Sequence, residues 1–122
     1  MTGLAQAVQN LRHAVDSARG PRPRETWRWL VRHRLDRVVE LMQLEGPMTE
    51  EAWLSPREQG VLRERDRLVA HLRAVGDDVV EAADASAVRS TLGRLIADLE
   101  RHLQRGNDLV YDSVSMELGG SD

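Results

Sequence analysis

Apolar residues recur along this chain at steps of three and four, the spacing of one helix face, in four separate stretches, and no segment alternates with period two. The first stretch aligns Leu4, Val8, Leu11 and Val15 and predicts a short N-terminal helix within 1–19. Gly20-Pro21-Arg22-Pro23 stops it, because proline lacks an amide donor and biases its predecessor towards extended geometry, so 20–24 reads as a linker. A second helix is predicted from Glu25 to Glu45 with Trp27, Leu30, Val31, Leu35, Val38, Leu41 and Met42 on its stripe, ended by Gly46-Pro47. Thr49 to Ala52 offers one short turn ahead of Trp53 and Leu54.

Ser55-Pro56-Arg57-Glu58 has the form of a capping box with proline at the first helical position. It opens a third helix, whose stripe of Val61, Leu62, Leu68, Leu72, Val75 and Val79 reaches about Ala83. Asp84-Ala85-Ser86 supplies another cap. The last and longest helix carries Val88, Leu92, Leu95, Leu99, His102 or Leu103, Gly106, Val110 and Val114, and ends near Leu118, with 119–122 as a tail. The pattern predicts one all-α domain over 1–122: an up-and-down antiparallel four-helix bundle of three long helices, within 25–118, and a shorter first one.

Composition narrows the chemistry. The 122 residues are 41% apolar, enough for a single core, and contain no Cys, which excludes disulfide scaffolds, thiolate metal sites and cysteine nucleophiles. No apolar run is long enough for a membrane span or a secretory signal, so a cytoplasmic protein that does not engage a membrane is expected. All 17 positive charges are Arg, the skew of a GC-rich bacterial genome, so arginine abundance alone says little about phosphate binding. Eight of these arginines nevertheless fall between Arg12 and Arg37, against Asp16, Glu25 and Asp36. Arg24, Arg28 and Arg32, joined by Arg34 and Arg37, could offer a phosphate-rich partner a ladder of guanidinium groups. With a net charge of −3 the whole chain is not basic, and neutralisation within the bundle or across a dimer is the simpler reading; nucleic acid is not an expected partner.

Four histidines are present. His13 lies off its helix stripe and reads as solvated, His33 and His71 sit at stripe edges, and His102 points into the bundle. There is no Glu-x-x-His, His-Glu-x-x-His, Gly-rich phosphate loop or Gly-x-Ser-x-Gly. The third helix carries Leu62-Arg63-Glu64-Arg65-Asp66-Arg67-Leu68-Val69-Ala70-His71-Leu72, and the fourth runs from Leu95-Ile96-Ala97-Asp98 through His102 to Leu109-Val110-Tyr111. Over about sixty residues, this pair resembles the hemerythrin-like, or HHE cation-binding, helical bundles. His102 matches the motif histidine and Leu109-Val110-Tyr111 its hydrophobic end. Where the resemblance implies a metal-bridging Glu stands Gly106, followed by Asn107, and where it implies Glu-His stand Arg65 and Asp66.

A di-iron centre needs about five to seven protein ligands, so no metal or other cofactor is expected. The alternative is iron or another divalent metal at an unorthodox site drawn from His33, His71, His102, Glu64, Asp66 and Asp108, as in a redox or oxygen-binding protein. Gly106 either admits a neighbouring helix or leaves a space beside His102, in which case His102, Gly106, Asn107 and Tyr111 would form a small-ligand pocket. Of the tryptophans, Trp27 reads as core, whereas one of Trp29 and Trp53 is expected at the surface or against a second copy. Arg24, Arg28, Arg32, Trp29 and Trp53 are therefore the candidate partner surface. Together these readings point to a non-catalytic, regulatory binding protein with a protein partner or small ligand, and to a homodimer.

Overall fold

In a computed structural model the chain is an antiparallel four-helix bundle: α1 (Thr2–Asp16), α2 (Glu25–Leu44), α3 (Pro56–Glu81) and α4 (Ser86–Gly120). The structure describes residues 2–17, 24–44 and 55–120, with side chains for 3–17, 24–44 and 55–109. Each helix packs on its neighbour in the chain and α1 closes the ring on α4; among the described residues there is no strand, and no helix is long and apolar enough to cross a membrane. The expectations for the segments 18–23 and 45–54, including Gly46-Pro47 and the turn near Thr49, lie outside the described residues.

The stripes converge on one core. Leu11, Val31, Leu35, Met42, Leu72, Leu92, Ile96 and Leu99 are almost wholly buried, and this burial of one apolar face per helix is the main source of stability. Leu30 departs from expectation: it is 40% exposed, because it lies at the edge of the stripe, and Val39 fills the other flank of the core instead. Helix ends depart slightly too. The third helix stops at Glu81, where Ala82 turns to extended geometry, two residues short of the reading. The tail expected from 119 is helical through Gly120, although glycine is a poor helix former.

Polar groups finish what the stripes begin. The capping box forms as its spacing implies, with the Glu58 amide donating to Ser55 Oγ (3.2 Å) and the Ser55 amide to Glu58 Oε1 (3.4 Å). At the head of α4 the Ser86 amide donates to Asp84 Oδ1 at 2.8 Å. Trp27 ties α2 to α1 by donating its indole Nε1–H to the Ala14 carbonyl (2.8 Å), which lies in the last turn of α1 and also accepts from the Ser17 hydroxyl (2.7 Å), and Arg89 of α4 lies over the Trp27 ring. An Arg12–Glu100 ion pair joins α1 to α4.

The third helix has no cation in its own last turn, and α2 provides two. Arg28 donates to the carbonyls of Val79 (3.0 Å), Ala82 and Ala83, and one turn on Arg32 donates to the Gly76 carbonyl (2.9 Å) while pairing with Asp36 and Asp77. Positive charge at these carbonyls also opposes the negative end of the helix dipole. Buried Gly76 keeps α3 slim where Arg32 crosses it, since a Cβ there would lie 3.4 Å from Arg32 Cδ and Nε.

Arg28→Met should therefore lower unfolding stability by about 1.5–3 kcal/mol in urea denaturation, the range for hydrogen bonds from a charged donor. Arg24→Ala, which removes an exposed side chain, should stay within about 0.5 kcal/mol of wild type.

Candidate functional site

Among the described residues, one polar side chain is buried, and it lies between α3 and α4. There His102, on the buried stripe of α4, is only 6% exposed, and its Nδ1 lies 2.7 Å from Oε1 of Glu64 on α3. An ionised carboxylate can only accept, so Nδ1 carries the proton and donates it. Arg105, one turn beyond His102, closes on the same carboxylate from outside, donating from Nε to Oε1 at 3.1 Å and pairing through Nη2 with Oε2. Burial pushes the Glu64 carboxyl towards the neutral form, but the hydrogen bonds from His102 and Arg105, reinforced by their charge, outweigh it and hold the group below its ordinary pKa of 4.5.

Outside this clamp lies a groove of about 240 Å³ lined by Glu64, Arg67, Leu68 and His71 of α3 and by Asp98, Arg101 and Arg105 of α4. The lining follows from helix geometry: Glu64, Arg67, Leu68 and His71 are spaced three, four and seven apart on one face, as are Asp98, Arg101 and Arg105. Asp98 pairs with Arg101 on the rim. Three guanidinium groups and an imidazole face two carboxylates, each of which already has a partner. Such a groove can receive one more anionic group. It is smaller than the roughly 300–1,000 Å³ of ordinary ligand pockets, so a single functional group fits rather than a large molecule.

The structure brings together some of the residues singled out by sequence and separates others. Glu64 and His102 meet, and His71 borders the same groove. Asn107 is exposed and is not part of the groove's lining; Tyr111 belongs to α4, but its side chain, like the whole of Trp53, lies outside the described residues. Among the described residues a Cβ on Gly106 would meet nothing within 4 Å, so no described helix makes a close approach there, and Gly106 does not line the groove. His13 and His33 are exposed, Asp66 is exposed and pairs with Arg65, and Asp108 is exposed and accepts from Gln104. Among the described residues, no three His, Asp or Glu side chains converge as a metal site would require.

The arginine ladder is not free to bind as a unit. Arg28 and Arg32 are spent on α3 carbonyls, while Arg24 is exposed and Trp29 is 54% exposed. Arg67, Asp98, Arg101 and Arg105 were not among the residues the sequence marks for a site. The i, i+4 pairs Arg67/His71 and Arg101/Arg105 were visible, but nothing local says that these two faces oppose each other.

Comparison with protein-family models, with curated proteins and with solved structures finds no match to this chain.

Because the Glu64 carboxyl is lowered in the folded state, the native protein holds fewer protons than the unfolded chain just below pH 4.5, and stability there rises with pH. The contribution of Glu64 is full above that value and is lost as pH falls through the lowered one. The stability gap between wild type and Glu64→Gln, measured by urea denaturation at intervals from pH 7 to 3, should be widest at neutral pH and shrink through the acid range. A gap unchanged across that range would contradict this assignment.

Proposed function

We propose that this chain is a non-catalytic cytoplasmic binding module, a hemerythrin-like bundle whose metal ligands have been replaced, that acts in a regulatory role by taking an anionic group of a small ligand or partner protein into the α3–α4 groove. The observation that carries the reading is the occupation of Glu64. The carboxylate that a metal would need is already clasped by Arg105 and hydrogen-bonded by His102. A cation placed there would face the Arg105 guanidinium, whereas an anion on the groove's outer side meets Arg67, His71 and Arg101. Glycine at 106, four residues after His102, supports the same reading, since it offers no side chain to bridge metals.

No nucleophile activated by a neighbouring base is seen among the described contacts, and the groove is sized for recognition of one group. Specificity would come from the fixed spacing of the guanidinium groups on two rigid helices. Affinity for a lone anion should be weak, with the remainder of a ligand or partner supplying the rest.

Titration of amide-labelled protein with inorganic phosphate tests this by NMR. Saturable shifts centred on Arg67, His71, Arg101 and Arg105 are expected, and an Arg67→Ala/Arg101→Ala variant that keeps its helical circular dichroism should lose them. Shifts scattered over the arginines of α2 with no saturation would overturn the anion site. Near-stoichiometric iron or zinc in tag-free protein, lost on His102→Ala, would overturn it in favour of a metal centre.

A further inference from the structure

All three large hydrophobic side chains that the described residues expose lie on α2: Trp29 at 54%, Leu30 at 40% and Leu44 at 72%. Between Trp29 and Leu44 the outward face carries His33, Asp36, Arg37 and Glu40, each of them exposed. At about 100° per residue these six positions share one sector about 100° wide, diametrically opposite Trp27, Val31, Leu35, Val38 and Met42. The spacing of three and four is that of a second helix-packing seam, on the side where no other described helix packs against it.

The order along this seam is complementary to its own reverse. Asp36 adjoins Arg37 at the centre; three residues out on either side stand His33 and Glu40, and seven residues out stand Trp29 and Leu44. A two-fold axis midway between Asp36 and Arg37 therefore sets Trp29 against Leu44, His33 against Glu40 and Asp36 against Arg37 of the other copy. Each pairing occurs twice. Self-complementarity of this kind is what an isologous interface requires. The charged members are free to re-pair, since Asp36, Arg37 and Glu40 side chains are 58%, 55% and 62% exposed in their present contacts within α2.

We infer that a second copy of this chain covers the outer face of α2, the two α2 helices crossing antiparallel about an axis between Asp36 and Arg37. The inference is independent of the α3–α4 groove, which lies on other helices. Specific interfaces commonly bury about 800 Å² per partner, and one helix face about 30 Å long supplies less, so the dimer is a weak and reversible one. Its central charge pairs make it weaker in high salt.

Sedimentation equilibrium on the full chain over about 1–500 μM tests this, the range that brackets such weak contacts. Wild type should pass from monomer to dimer, and Leu44→Glu, at an exposed position, should remain monomeric with unchanged circular dichroism. Asp36→Arg alone and Arg37→Asp alone should each be monomeric, because each sets like charges opposite one another. An equimolar mixture of these two variants should restore the dimer, since opposite charges then meet at both central positions. A wild type monomeric throughout, or a dimer that survives either single reversal, or a mixture that stays monomeric, would overturn the inference; in the first case the face would be open to a different protein.

Discussion

A buried imidazole on the α3–α4 seam sets the terms for that half of the molecule. His102 stands in a stripe otherwise made of Leu92, Leu95, Leu99 and Leu109, and a polar ring left unpaired there would cost on the order of 1–3 kcal/mol. Glu64 meets that need from α3. Its own burial then demands a counter-charge, which Arg105 brings from the next turn of α4. The register of α3 on α4 is thereby fixed, because a shift of one residue would turn Glu64 away from the ring and place an arginine at its level. The groove outside the clamp is a product of the same register: once Glu64 faces His102, the Arg67/His71 and Asp98/Arg101 edges must flank it.

The other end of α3 is held by a different device with the same logic. A helix that lacks a cation of its own in its last turn leaves carbonyls to be satisfied, and Arg28 and Arg32 reach across from α2 to do so. Trp27, from the same stretch of α2, closes the last turn of α1. The inner side of α2 is thus committed to the bundle through its apolar stripe and its arginines, while its outer side bears the exposed tryptophan and leucines. One short helix ties α1 and α3 together with its inner side and leaves its outer side for the proposed contact between copies.

The helices and most of the core were legible in the sequence because both depend on local information: the period of apolar residues, the Ser55-Pro56-x-Glu58 cap and the order of breakers. Leu30 was misplaced because a stripe drawn with three- and four-residue steps is wider than the buried arc, and only the positions of α1 and α3 decide which flank is covered. The site was legible only in part. His102 stood out as a histidine on an apolar face, but its partner is 38 residues away on another helix and had no spacing to mark it. Arg28 and Arg32 looked like a surface ladder for the converse reason, since their carbonyl partners are backbone groups, which a sequence never displays. Gly106 admitted two readings, and among the described residues no neighbour comes within 4 Å of where its Cβ would lie.

The dependence of this seam on one polar pairing is tested most directly by a double-mutant cycle with apolar replacements, His102→Leu and Glu64→Leu, followed by urea denaturation at neutral pH. Glu64→Leu alone should be the costlier change, because it strands the buried imidazole. Adding His102→Leu should recover stability, giving a coupling of about 1–2 kcal/mol. Losses that simply add would contradict the account, because the two side chains would then contribute independently and His102 would not require Glu64.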